Sequence, residues 1–367
     1  MPIKVISILL GLGLVFWLCP SLAEAETITL GCSPTATIGE SLKTLKPGDT
    51  LLVSGACSEN LVIPESVQNI TLDGQGKATI NGPDAKRNTV VVGGRAITIK
   101  RFAITGGRSG MAVVRGGSAI IDANTIHCTG NYGLALHEQS SARIVNNTIQ
   151  NNPRFGILVE EGSFARIGFL LASDPAPSSN VIQNNRGGGI QVRFSSMARI
   201  VGNTIGSNSG NGLEVTDGSQ AAIDDNAING NGRDGIVVSG NSGVTIASGP
   251  GIFNKPNSTS TNNSGFGIRC EVGGYVAGRI GTLNGNTGVK DFSAGCIDRL
   301  KPLVHCFAIS LSVIFPLSLT EGEGMGDGVL ALESSVLQPP HPLPLPLLGR
   351  GVVKGYGGRQ DNSETQH

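Results

Sequence analysis

From about residue 102 the apolar positions come in short runs, and within a run they lie two residues apart. Ala142 and Ile144 make one run, Ile149 stands in the next, and Ile157 and Val159 make a third. A spacing of two puts alternate side chains on one face, so each run predicts a short strand with one side buried. Asn, Gly and Ser fill the intervals, as turns require. No run is long or helical enough for a helical repeat unit.

The runs recur as a set. Residues 197–215 and 220–238 carry one pattern at a step of 23. Ile200 maps to Ile223, Asn203 to Asn226, Ile205 to Ile228 and Gly212 to Gly235. Earlier, Ile121, Asn124, Ile126 and Gly133 map by the same step to Ile144, Asn147, Ile149 and Gly156, and Gly110 precedes Gly133 by it. From Gly156 to Gly189 the step is 33, and from Gly235 to Gly267 it is 32, one period plus an insertion. A short period with local insertions marks a solenoid rather than a globule with one core.

Three strands and three turns per period predict a parallel β-helix of roughly nine coils, stacked about 4.8 Å apart. Ile200 should then lie between Ile167 and Ile223 in a column of aliphatic side chains. Asn124, Asn147, Asn180, Asn203 and Asn226 take one turn position in successive coils. Turned inward, they predict a hydrogen-bonded ladder that satisfies turn amides otherwise buried without partners.

On these repeats the chain resembles the right-handed parallel β-helix proteins of the pectin-lyase-like superfamily, over roughly residues 50–298. The resemblance implies an all-β right-handed parallel β-helix whose outer face carries any chemistry. It implies no single activity, since that fold hosts lyases, hydrolases, epimerases and non-catalytic surface proteins. The Gly-His-Gly and Arg-Ile-Lys motifs of polygalacturonase-like hydrolases are absent, as are the Trp-Ile-Asp-His signature of pectate lyases and the Asp-Pro-His-Asp signature of alginate epimerases. Asp224-Asp225 matches the paired aspartate of the hydrolases. The period, however, sets Asp225 beside the turn and Asp224 at a variable outward position shared with Asp122 and Val201, which reads as structural.

The ends differ from the repeats. Residues 1–25 read as a secretory signal, with Lys4, an apolar Ile6–Leu18 stretch and Ala23-Glu24-Ala25 for cleavage. Residues 26–58 read as an N-terminal cap, in which Ile38, Leu42 and Leu45 at helical spacing cover the open end of the solenoid until Lys46-Pro47-Gly48-Asp49 breaks the helix. The β-helix occupies 59–298. Residues 299–367 read as an unpacked low-complexity tail, either a frame-shifted addition or, through the apolar run 303–319, a membrane anchor. The insertions at 168–179 and 247–262 leave after equivalent strands, so they should project from one side, about 14 Å apart along the axis.

Composition adds three constraints. The 54 Gly and 4% aromatics suit a thin solenoid rich in turns. A formal net charge of zero gives no support for a nucleic-acid partner. In an oxidising compartment the economical cysteine pairing is Cys32 with Cys57 and Cys270 with Cys296, each closing a loop of about 25 residues. No C-x-x-C pair or neighbouring His supports a metal site there, and no cofactor is expected.

Alternation assigns the outward side chains. Arg143, Arg166 and Arg199 point outward on three successive coils, either a track for uronic-acid sugars or a solvated stripe. Ala135, Leu158, Gln191, Glu214 and Val237 point outward on the third strand, with His137, Glu160, Arg193 and Thr216 just beyond it. Glu160, Arg193 and Glu214 on adjacent coils predict a charged cluster. His137, with Glu138, faces solvent beside the third strand, either a general base or a lone surface histidine, and no catalytic residue is assigned. With the catalytic motifs absent, the expectation is a secreted or cell-surface protein that binds polysaccharide or surface glycan without catalysis. The alternative is a lyase or glycoside hydrolase acting on an acidic polysaccharide.

Overall fold

The computed structural model describes residues 24–168, 178–247, 258–259, 262–279 and 281–301. The signal segment through residue 23, most of both insertions and the tail beyond 301 lie outside the described residues. What remains is a parallel β-helix. The strands form an 18-stranded and a ten-stranded sheet, and each pairing between successive coils is parallel. Among the described residues the only α-helix is the four-residue Ile38–Ser41.

Each coil contributes three strands to three columns. The first column holds Ser141–Val145, Phe164–Ile167, Met197–Val201 and Gln220–Asp224; the second holds Thr148–Gln150, Val181–Gln183 and Thr204–Gly206. The third holds Leu134–Leu136, Phe155–Val159, Gly188–Val192, Leu213–Val215, Ile236–Val238 and Phe266–Cys270. Ile167, Ile200 and Ile223 are register partners in successive coils, the first pair 33 apart across the insertion and the second 23 apart. They are 0% exposed, as are Ile149, Ile182 and Ile205 in the second column and Ile157, Ile190 and Leu213 in the third. Each such side chain contributes about 1.5–3 kcal/mol.

The solenoid has about eleven turns, not nine. The difference arises largely at the N-terminus, where coils exist before the Asn marker begins. Thr27–Gly31 pairs with Thr50–Ser58, and Thr50–Ser58 with Thr71–Gly82, so the sheet starts inside the segment expected to be a cap. The helix is shorter than its spacing predicts. Thr37 caps it by accepting from the Glu40 amide at 3.2 Å, and the Glu59 carboxylate accepts from Ile38 N and Gly39 N at 2.8 and 3.0 Å. Ile38 and Leu42 are nonetheless buried in the core.

The predicted ladder is present. The side-chain amide of each Asn donates to the Oδ1 of the next, from Asn124 to Asn147 at 3.1 Å, to Asn180 at 3.0 Å, to Asn203 at 2.8 Å and to Asn226 at 3.0 Å. A second ladder, absent from the sequence reading, runs five residues further on. Asn152, Asn185, Asn208 and Asn231 link in the same manner at 2.9–3.0 Å and reach Asn263. Its signal is an Asn at both 147 and 152, 180 and 185, 203 and 208, 226 and 231.

The column Gly133, Gly156, Gly189, Gly212 and Gly235 opens the third strand for a steric reason. A Cβ on Gly133 would lie 2.5 Å from Ile149 Cγ2 and 2.7 Å from the Gly156 carbonyl oxygen. Cys32–Cys57 and Cys270–Cys296 are both disulfides, tying the first and last described coils, and Cys128 is free and exposed.

Candidate functional site

The outer surface of the third column is where chemistry collects. Alternation points Ala135 and Leu158 outward, yet both are fully buried, and Val237 is nearly so. Tyr132, with Phe155 packed against it, covers Ala135 and Leu158 in a small apolar cluster outside the solenoid core. Tyr132 also lines a cavity of about 280 Å³ whose walls include Arg108, Arg154, His137, Glu160 and Arg193. Arg154 lies 5.8 Å from the Tyr132 ring centroid and donates to its hydroxyl at 3.4 Å.

Glu160 organises the wall. It is buried, and its two oxygens serve two partners on the coils to either side. His137 Nδ1 lies 2.7 Å from Oε1, and Arg193 Nε donates to Oε2 at 2.6 Å. The three follow Leu134–Leu136, Phe155–Val159 and Gly188–Val192, so the rung spacing brings them together. The imidazole that donates through Nδ1 presents Nε2 as a lone-pair base. His137 is therefore not the lone surface residue that its sequence context implies. Arg193 also stacks on Phe194, 4.8 Å from the ring centroid.

Glu214 does not join this cluster. Its oxygens accept from Gln191 Nε2 at 3.0 Å and Asn211 Nδ2 at 2.6 Å. The expected trio of Glu160, Arg193 and Glu214 is thus a trio of His137, Glu160 and Arg193, because Gln191 and not Arg193 is the register partner of Glu214. Glu214 instead borders a second cavity of about 570 Å³ on the same face, with Asn211, Arg233, Asp234, Arg269 and Glu271.

On the first column Arg143, Arg166 and Arg199 are stacked register partners, as alternation predicts. All three are half-buried. Burial, then Arg199 and Arg143, pushes the Arg166 guanidinium below its ordinary value. Apolar Phe164 and Met197, also register partners, stand exposed beside them.

Asp224 takes its expected place opposite Val201 but is enclosed there. It is 6% exposed, and its Oδ1 is buried without a hydrogen-bond partner. Burial raises its pKa from 3.8 to about 6, opposed by Arg199 and assisted by Asp225. Asp225 itself sits at a left-handed turn position, φ 54°, shared with Ala123 and Asn146, which explains a residue tolerant of that conformation there. A carboxyl whose folded pKa is raised binds its proton more tightly when folded, so its presence costs stability as pH rises from about 4 through about 6. Asp224→Asn should therefore stabilise at pH 8 by about 1–3 kcal/mol and change little at pH 4. Melting both proteins at the two pH values checks this, and an equal midpoint at pH 8 would count against the buried carboxylate.

Among the described residues no group of three His, Cys, Asp or Glu side chains is placed to hold a metal ion, and no helix is long and apolar enough to cross a membrane.

Comparison with known proteins agrees with this architecture. No curated protein sequence matches the chain. An alginate lyase from Paenibacillus sp. superposes with a TM-score of 0.52 at 17% identity, covering 74% of this chain and 99% of that one. A pectate lyase superposes at 0.48 with 12% identity over 77% and 79% of the two chains, and a periplasmic alginate epimerase at 0.46 with 14% identity over 76% and 73%. At such identities the likeness shows the fold alone. The family described as right handed beta helix region matches residues 57–169 and 167–273, more than half of the sequence. The chain belongs to the right-handed beta helix family, with a pectin-lyase-like fold.

Proposed function

We propose that this protein is a secreted enzyme that acts on a uronate-containing polysaccharide, as a lyase, in the groove over the third column. The observation that carries the reading is the buried Glu160 holding His137 at 2.7 Å and Arg193 at 2.6 Å on the wall of a cavity that also contains Arg108 and Arg154. In a uronate the C5 hydrogen is acidified by the adjacent carboxylate. Its removal needs a base and a cationic partner for the charge that builds on the carboxylate. His137 Nε2 supplies the base, and the guanidinium groups of Arg154 and Arg193 supply planar donors matched to a carboxylate. Glu160 is a positioning residue. The C4–O bond then breaks as the C4–C5 double bond forms, and the leaving oxygen takes the proton that His137 removed or one from water, which leaves an unsaturated end on the product.

Glycoside hydrolysis draws less support. It needs a carboxyl kept protonated beside the substrate, and Asp224, the carboxyl that burial raises, lies on the first column. The two disulfides support an oxidising compartment, and with the expected signal segment they favour export. The solved structures that share this fold include alginate and pectate lyases, which is in keeping with the reading.

The test is incubation of the purified protein with a panel of uronate and neutral polysaccharides, reading unsaturated ends, reducing ends and exchange of the C5 hydrogen. Unsaturated ends on a uronate polymer are expected. Retention without any of the three signals would instead favour binding without catalysis. The arginine stripe is proposed as an accessory contact for an acidic chain. Arg166→Gln with Arg199→Gln should then weaken retention on acidic matrices, more so at low salt, while turnover of short substrates in the groove stays unchanged.

A further inference from the structure

The two cavities on the outer face of the third column differ in character. The cavity beside Leu134–Leu136 and Phe155–Val159 presents Arg108, Arg154 and Arg193 against one carboxylate, Glu160. The cavity beside Leu213–Val215, Ile236–Val238 and Phe266–Cys270 presents Glu214, Asp234 and Glu271 against Arg233 and Arg269. Arg269 is already committed, donating from Nε to Asp234 at 2.8 Å and from Nη1 to Asp291 at 2.5 Å. Asp234 also accepts from the Phe266 amide at 2.6 Å, and it is buried. The two regions meet where Gln191 Nε2 donates to Glu214 Oε2, across one rung.

We propose that this second region selects sugar units that carry no carboxylate, so that the preferred polymer mixes uronate with neutral units. The inference rests on the groove reading above and deepens it. Successive rungs lie about 4.8 Å apart, close to the length of one pyranose in an extended chain. A chain along the axis with its uronate over Arg154 and Arg193 therefore sets its next units over Glu214, Asp234 and Glu271. Glu214 is fixed by Gln191 and Asn211, and its remaining lone pairs accept from sugar hydroxyls. Thr216 and Ser239 line the same cavity and add hydroxyl partners. Three carboxylates face two guanidinium groups there, and that of Arg269 is shared between two aspartates, so a carboxylate on the sugar meets a net negative wall with Arg233 as its counter-charge.

Titration calorimetry with two hexasaccharides of equal length decides the matter, one all-uronate and one alternating uronate with neutral hexose, at fixed salt. The parent protein is expected to bind the alternating chain at least about tenfold more tightly. A Glu214→Gln, Glu271→Gln double variant keeps the side-chain shape at 214, with an oxygen still accepting from Gln191 or Asn211, and alters an exposed side chain at 271. It should bind the all-uronate chain more tightly than the parent does and narrow the gap. Equal or tighter binding of the all-uronate chain by the parent would overturn the selectivity, as would an unchanged gap in the variant. Binding of neither chain by the parent would instead remove the groove reading itself, and this inference with it.

Discussion

Asn203→Leu is expected to destabilise the solenoid by about 3–6 kcal/mol, more than an ordinary buried polar substitution. The side chain works in both directions along the stack. Its Oδ1 accepts from the Asn180 amide nitrogen at 3.1 Å and from Asn180 Nδ2 at 2.8 Å. Its Nδ2 donates to the Ile167 carbonyl at 2.9 Å, the Val201 carbonyl at 3.1 Å and Asn226 Oδ1 at 3.0 Å. Leucine answers none of these, and the site is only 1% exposed, so water cannot replace them without opening the turn. Denaturant midpoints of parent and variant measure the loss, and hydrogen exchange at the Asn180 amide locates it. A solenoid loses coils in groups, so the exchange should rise mainly in coils next to residue 203. An unchanged midpoint together with unchanged exchange would show that the ladder is ornamental.

His137→Ala is expected to lower turnover of a uronate substrate by about 10²–10⁴-fold, the usual scale for removing a general base. Binding should change far less, because Arg108, Arg154 and Arg193 remain. Glu160→Gln should have a smaller effect of the same sign, since an amide oxygen still accepts from His137 or Arg193 but no longer balances a cation. Single-turnover rates and substrate dissociation constants separate the two quantities. Full turnover in His137→Ala would remove the histidine from the reaction and leave the groove as a binding surface.

The part of this structure legible in advance is the part that repeats. Residues one period apart, 23 or 33 where an insertion intervenes, become neighbours in successive coils, so Ile167, Ile200 and Ile223 could be stacked from spacing alone, and the Asn124 to Asn226 ladder followed. The second ladder carries the same information from Asn152 onward, with Thr129 in place of an Asn on its first rung. The first coils carry a weaker repeat signal. Thr27–Gly31 and Thr50–Ser58 lack the Asn marker, although their register partners are also 23 apart.

The site was only half legible. Alternation correctly turned Arg143, Arg166 and Arg199 outward, and it placed His137, Glu160 and Arg193 side by side on successive coils. It did not reveal that Glu160 would be buried, that it would hold both neighbours, or that Glu214 would turn to Gln191 and Asn211. Nor did it reveal that outward Ala135 and Leu158 lie under Tyr132 and Phe155, or that Asp224 is enclosed.

The physical distinction is one of constraint. Inward positions are fixed by the backbone period, because a side chain in the core or ladder meets the same partner in every coil. The sequence by itself therefore determined the coil, its strands, its ladder and its disulfide ends. An outward side chain has several rotamers and neighbours above, below and across the turn, so its partner depends on which residues occupy all of those places at once. Only the tertiary structure decided that competition, giving Glu160 to His137 and Arg193, and Glu214 to Gln191 and Asn211.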